Sequence, residues 1–214
     1  MRLHEVGYRY GRRGPWVLRN VTVGIDPGEI VVVRGGNGTG KSTLLGLFAG
    51  ALRPVLGRID DRPARIGWVP ERFPTEQPFT VSGYLSTMAA LRGAPAASVE
   101  QWIARLSLTD LRNERLSALS KGTAQKVGVA QGLLVLPDLL LLDEPWEGLD
   151  IDTRELVPGI IDEVLEAGGA VLVSDHSGDT GHLPGVTEWA VVEGTVEVVR
   201  PGKRSTDKRS EAGA

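Results

Sequence analysis

Two kinds of apolar pattern divide the chain. Short β-rich runs open it at Leu3 to Tyr10, Val17 to Ile25 and Ile30 to Arg34, and Pro27 and Gly28 punctuate the last two. Ile30-Val31-Val32-Val33 contains no polar position, as expected for a strand covered on both faces. A glycine-rich turn follows, and Lys41 to Gly50 then reads as a helix. Arg65 to Val69 is a further short strand. Apolar residues recur at helical spacing over Val81 to Arg92, Val99 to Leu106 and Thr123 to Leu136. Little strand signal falls between Pro70 and Leu119, so a helical subdomain is expected at about residues 72–136. Strand signals return at Leu139 to Leu142, Ala170 to Val173, Trp189 to Val192 and Thr195 to Val199. Asp152 to Ala167 lies between two of these as a crossover helix, closed by Gly168-Gly169.

Strand, helix and strand at this spacing predict an α/β fold with a parallel core sheet. The early strands supply an antiparallel portion. A length of 214 residues fits one domain with a modest subdomain, expected over residues 1–199. Residues 200–214 are polar and without apolar period, which predicts a disordered tail. The chain has no Cys, so a disulfide framework and Cys-ligated metal centres are excluded. A net charge of −3 gives no global attraction to nucleic acid or anionic lipid. The most apolar stretch, Leu133 to Leu142, is interrupted by Pro137 and Asp138, whereas a membrane span needs about 20 apolar residues. The first residues hold no apolar leader segment. A soluble, cytoplasmic protein is the expectation.

Gly35-Gly36-Asn37-Gly38-Thr39-Gly40-Lys41-Ser42-Thr43 fits the phosphate-loop spacing G-x-x-x-x-G-K-[ST], between an apolar strand and a helix as the motif requires. Glycines let successive backbone N–H groups turn inward around a phosphate without Cβ clashes. The helix beginning near Lys41 adds its positive dipole end. Lys41 brings a full charge to the β- and γ-phosphates, and the Ser42 hydroxyl is the expected Mg²⁺ ligand. Further on, Leu139 to Leu142 runs into Asp143-Glu144-Pro145. A buried strand ending there delivers two carboxylates to the carboxyl edge of the sheet, where open α/β sheets bind ligands. Asp143 is expected to hold Mg²⁺ directly or through water, and Glu144 to polarise the attacking water as general base.

With these two motifs in place, the chain resembles the ATP-binding cassette (ABC) family, specifically the nucleotide-binding subunit of ABC transporters. Leu119-Ser120-Lys121-Gly122-Thr123-Ala124-Gln125-Lys126-Val127 is similar to the family signature LSGGQ, and it precedes the acidic strand as the family requires. Lys121 and Thr123 replace a Gly and the Gln of that signature, while Ser120 and Gly122 remain to approach phosphate. Gly148-Leu149-Asp150 resembles the D-loop. His176 resembles the switch histidine that contacts the γ-phosphate; Asp175 precedes it and could orient it. Tyr10 stands where the family's adenine-stacking aromatic falls, with Tyr8 as a competitor. Glu71, after Pro70, stands where the family usually has the Gln of the Q-loop, and its carboxylate can reach Mg²⁺ or its water.

The resemblance implies an ATPase with ATP and Mg²⁺ as cofactors. Two cassettes would close around two nucleotides, Ser120 and Gly122 of one completing the site of the other. Lys41, Mg²⁺ and His176 would stabilise charge while Glu144 aligns water. The implied partners are a second ABC cassette and a multi-span membrane permease, with the chain peripheral at the inner face of the cell membrane and no nucleic acid involved. Arg72 to Leu85, with Phe73, Phe79 and Tyr84, is the expected docking segment. The main rival is a soluble ABC ATPase acting on nucleic acid or ribosomes. Such proteins tend to carry two fused cassettes, long coiled-coil inserts or basic surfaces; this chain has one phosphate loop and no extended heptads. Glu144 and His176 argue against a nucleotide sensor that does not hydrolyse, and a small-molecule P-loop kinase would not need Ser120 to Val127.

Overall fold

A computed structural model describes residues 1–147, 149–176, 178, 180, 183 and 185–200. The proposed polar tail, beyond Arg200, lies outside the described residues, as does Gly148 of the D-loop-like run. In chain order the elements are β1 (Arg2–Tyr8), β2 (Leu18–Gly24), β3 (Ile30–Arg34), α1 (Lys41–Ala49), β4 (Leu56–Asp60), β5 (Ile66–Val69), α2 (Val81–Arg92), α3 (Ala96–Arg105), α4 (Lys121–Leu133), β6 (Leu139–Asp143), α5 (Ile151–Glu166), β7 (Ala170–Asp175), β8 (Thr187–Val192) and β9 (Thr195–Arg200). Short 3₁₀ turns at Thr109–Leu111 and Leu116–Ala118 join α3 to α4.

Two sheets form. The larger has the order β5-β6-β7-β3-β8-β9, parallel except for β9, which folds back antiparallel on β8. The smaller is antiparallel, in the order β2-β1-β4. The unbroken apolar runs of β3 and β6 now have their explanation. Val31, Val33, Leu139 and Leu141 enter one core with Leu44, Leu45 and Phe48 of α1 and with β1 and β2. Val32, Leu140 and Leu142 enter the opposite core with α2, α4 and α5. Successive side chains point to opposite faces, so a strand with both faces covered shows no polar alternation.

Most expected elements are present, with ends displaced by capping. Helix α4 starts at Lys121 rather than Thr123 because the Ser120 hydroxyl accepts the Thr123 N–H at 3.2 Å, an N-cap. Its predicted end, Leu136, lies beyond the helix; Pro137 follows, and the residue directly before a proline is disfavoured in helical geometry. Helix α3 begins at Ala96, a turn before Val99, directly after Pro95. β1 stops at Tyr8, so Tyr10 stands outside the strand. β4 was not expected. Its residues LGRID are mostly exposed and carry no apolar alternation, and it is held by backbone pairing to β1.

Candidate nucleotide-binding site

The strand–loop–helix from β3 to α1 shapes the carboxyl edge of the parallel sheet. Two of its glycines are required by space. A Cβ on Gly35 would come 2.7 Å from Thr39 Oγ1 and 2.9 Å from the Val191 carbonyl. Gly40, with φ +111°, caps α1, and a Cβ there would meet Leu18 at 3.1 Å. Within the loop, the Thr39 hydroxyl donates to the Gly36 carbonyl at 2.9 Å, which holds the turn closed. The first turn of α1 carries Lys41, Ser42 and Thr43 beneath a cavity of about 580 Å³.

That cavity gathers most of the site read from sequence. Tyr10, Asn37, Gly38, Gly40, Lys41, Ser42 and Thr43 line it, and Glu71, Glu144 and His176 close it from three other segments. Gly35 and Gly36 line a smaller adjoining hollow with Asn37 and His176. The two tyrosines differ in position. Tyr8 is buried, whereas Tyr10 is 64% exposed at the cavity wall. The rings meet edge to face at 5.0 Å, and the Tyr10 hydroxyl shares a 2.9 Å hydrogen bond with Thr43 Oγ1.

The acidic strand ends where β6 was expected to deliver it. Asp143 is only 2% exposed. Burial raises its carboxyl above the usual range, while hydrogen bonds from Ser174 and Ser42 oppose that rise. Glu144 turns off the strand through a left-handed backbone, φ +49°. Its two oxygens then serve two partners: Oε1 lies 3.3 Å from Lys41 Nζ, and Oε2 lies 2.8 Å from His176 Nδ1. Lys41 also donates to the carbonyls of Gly35 at 2.8 Å and Gly36 at 3.3 Å. The hydrogen bond to Glu144 is the leading cause of a raised His176 pKa.

Asp175 has a different place from the one expected. The imidazole is held by Glu144, while the buried Asp175 carboxylate accepts from Gly178 N at 2.9 Å, Thr180 N at 3.0 Å and the Arg34 guanidinium at 3.3 Å. It ties Gly178 and Thr180 to Arg34, at the end of the strand leading into the phosphate loop. Ser120 and Gly122 do not line the cavity; they sit at the start of α4. Asp150 is the N-cap of α5, accepting the Thr153 N–H at 2.9 Å. An ion pair with Lys126 at 2.7 Å, with that cap, holds its pKa down to about 2.

Three side chains have contacts here that a motif reading does not give, although Gln125 lies within the signature-like run. Glu147 lines the cavity with Oε1 3.5 Å from His176 Nε2, but in sequence it is one polar residue in a turn. Gln125, almost fully buried, donates to the Pro70 carbonyl at 2.8 Å and so joins α4 to the segment carrying Glu71. Ser174 lies opposite Asp143 in the parallel register, a placement visible only once β6 and β7 pair.

Comparison with known proteins identifies the family. The family model described as ABC transporter matches residues 18–147. The zinc import ATP-binding protein ZnuC of Cereibacter sphaeroides is 38% identical over 177 residues, covering 81% of this chain and 71% of the relative. A probable metal transport system ATP-binding protein of Chlamydia muridarum is 32% identical over 199 residues, covering 86% of this chain and 83% of the relative. In fold, the chain is similar to the ATP-binding subunit of an ABC transporter, with TM-score 0.80 and 24% identity over 92% of this chain and 89% of that one. It is equally similar to an ATP-binding cassette solved as a post-hydrolysis dimer with ADP and Pi, at TM-score 0.80 and 24% identity over 93% of this chain and 98% of that one. The strand-loop-helix, the acidic strand and these matches lead to one assignment: the chain belongs to the ABC transporter family, as one of its ATP-binding subunits.

Proposed function

We propose that this chain hydrolyses ATP at the cavity over α1, with the residues named above in defined roles. The observation that carries the proposal is the Glu144 carboxylate, set between Lys41 and His176 at the rim of the phosphate loop. Loop N–H groups and the N-terminus of α1 take the phosphates, with Lys41 supplying full charge. Asn37, Gly38, Thr39 and Thr43 complete this cradle with Gly35, Gly36 and Gly40. Tyr10 stacks on the adenine from its exposed place at the cavity wall.

The donor set fits Mg²⁺. The Ser42 hydroxyl at the cavity and the buried Asp143 carboxylate are both hard oxygens that would hold it, with phosphate oxygens and water as the remaining ligands. Glu71 adds a carboxylate at the cavity edge, directly or through water. Bound there, the ion would neutralise developing phosphate charge. Glu144 aligns the attacking water and takes its proton, and His176 donates to the γ-phosphate.

The wider assembly is a pair of cassettes enclosing two nucleotides, with Ser120 and Gly122 of each completing the other's site. In this reading residues 1–199 are the ATP-binding unit, with a helical subdomain over about 72–136. The unit lies on the cytoplasmic face of a membrane, beside a multi-span permease. Metal-ion uptake, named for the relatives above, is the cargo class to test first.

Two variants test the catalytic reading. Glu144→Gln keeps the shape but is a far poorer base, so ATP affinity should persist, turnover should stop, and size-exclusion chromatography with ATP and Mg²⁺ should show a dimer. Lys41→Ala should lose nucleotide binding or hydrolysis. Near-normal turnover in Lys41→Ala would sink the phosphate-loop assignment.

A further inference from the structure

We infer that Ser174 is a positioning residue for hydrolysis, its single hydroxyl setting both carboxylates of the acidic strand. The inference rests on the ATPase reading above. Parallel pairing puts Ser174 opposite Asp143, and the side chain is fully buried. Its hydroxyl donates to Asp143 Oδ1 at 2.6 Å and accepts the Glu144 N–H at 2.9 Å. The direction of both bonds is fixed by chemistry. A backbone N–H can only donate, so the one hydroxyl proton goes to the carboxylate.

Each bond has its own consequence. Asp143 accepts the Ser174 hydroxyl at 2.6 Å in a fully buried place. That bond restrains the rotation of its carboxylate, and with it the direction offered to a cation. Glu144 leaves the strand in the left-handed region, which residues with a Cβ adopt only when the surroundings hold them there. The Ser174 oxygen anchors its N–H at that turn, in a buried place where an unpaired donor is costly. The turn aims the Glu144 side chain at Lys41 and His176. Val171, Leu172 and Val173 precede Ser174 in β7 and are all buried in the two cores. Packing alone would be met by an apolar residue there, so the hydroxyl is explained by what it bonds.

The test uses the full chain and a fluorescent ATP analogue, titrated in EDTA and again in Mg²⁺, with steady-state hydrolysis alongside. For Ser174→Ala, affinity in EDTA should stay within about twofold of wild type, while the gain on adding Mg²⁺ and kcat each fall by about tenfold or more. KM for Mg-ATP should rise less than kcat falls. If Ala lowers Tm substantially, Ser174→Cys provides the same measurement with a near-isosteric, weak donor. A serine-deleted variant that keeps the wild-type Mg²⁺ gain and kcat overturns the inference. So does an equal loss of affinity in EDTA and in Mg²⁺, which marks general damage. A wild-type chain that neither binds nor hydrolyses ATP defeats the ATPase reading itself.

Discussion

Glu144 is where single-residue chemistry concentrates. One oxygen faces an ammonium and the other an imidazole, so each partner depends on the charge of the same carboxylate. His176 also faces Glu147 across 3.5 Å, and Lys41 is the cation that opposes its protonation. The net result is a pKa raised above the ordinary value near 6.5. Folding therefore increases proton affinity at this ring. The stabilisation is fully present below the unfolded pKa and is lost as pH rises through the raised folded value. Wild type should thus exceed His176→Gln in Tm most at about pH 6, with the gap closing toward pH 9. A gap that widens with pH in thermal scans would show that the ring is held neutral. The residues proposed for catalysis were readable in sequence because phosphate, metal and water each need specific atoms at specific spacing. Glu147 and Ser174 were not, since a turn carboxylate and a strand serine acquire meaning only from a neighbour distant in sequence.

At the scale of elements, legibility follows burial. β3, β6 and β7 were plain because both sheet faces are covered and each opens with an unbroken apolar run, Ile30 to Val33, Leu139 to Leu142 and Ala170 to Val173. β4 escaped because its side chains bury little and backbone pairing defines it. The helical region shows the same rule in its aromatics. Phe73 is buried, packs edge to face on Tyr84 at 5.3 Å, and sits where a Cβ on Gly128 of α4 would lie 3.2 Å from its ring. Gly128 thus permits close approach between α4 and the segment after Glu71. Phe73→Ala should cost about 3–5 kcal/mol in denaturant unfolding, since it empties a buried aromatic site between α2 and α4. A loss below about 1 kcal/mol would mean that the ring is peripheral to the core. Two of the three aromatics expected at a docking surface, Phe73 and Tyr84, are therefore core residues.

For the whole molecule, the question is what ATP hydrolysis moves. Coupling requires a second element whose states the nucleotide biases differently. No helix among the described residues is long and apolar enough to cross a membrane, so a membrane-spanning element would be a separate polypeptide or lie outside them. The segment from Arg72 to Leu85 is the proposed contact, and its build fits that task. Gln125 ties Pro70 to α4, the helix that begins at Ser120, so a push on this segment reaches Glu71 and the signature run together. Phe79 alone of its three aromatics reaches the surface, at 36% exposure, over Tyr84 at a ring distance of 6.1 Å. Its carbonyl accepts the Leu116 N–H at 3.0 Å, a bond independent of the side chain. Phe79→Asp should therefore keep the fold and ATP binding while replacing an apolar anchor by a charge, which an interface centre tolerates poorly. Purified from membranes, the wild type should bring down a multi-span protein and Phe79→Asp should lose it. Retention of that partner by Phe79→Asp would move the docking surface elsewhere. A wild type that instead co-purifies with ribosomes or DNA would count against a membrane partner altogether.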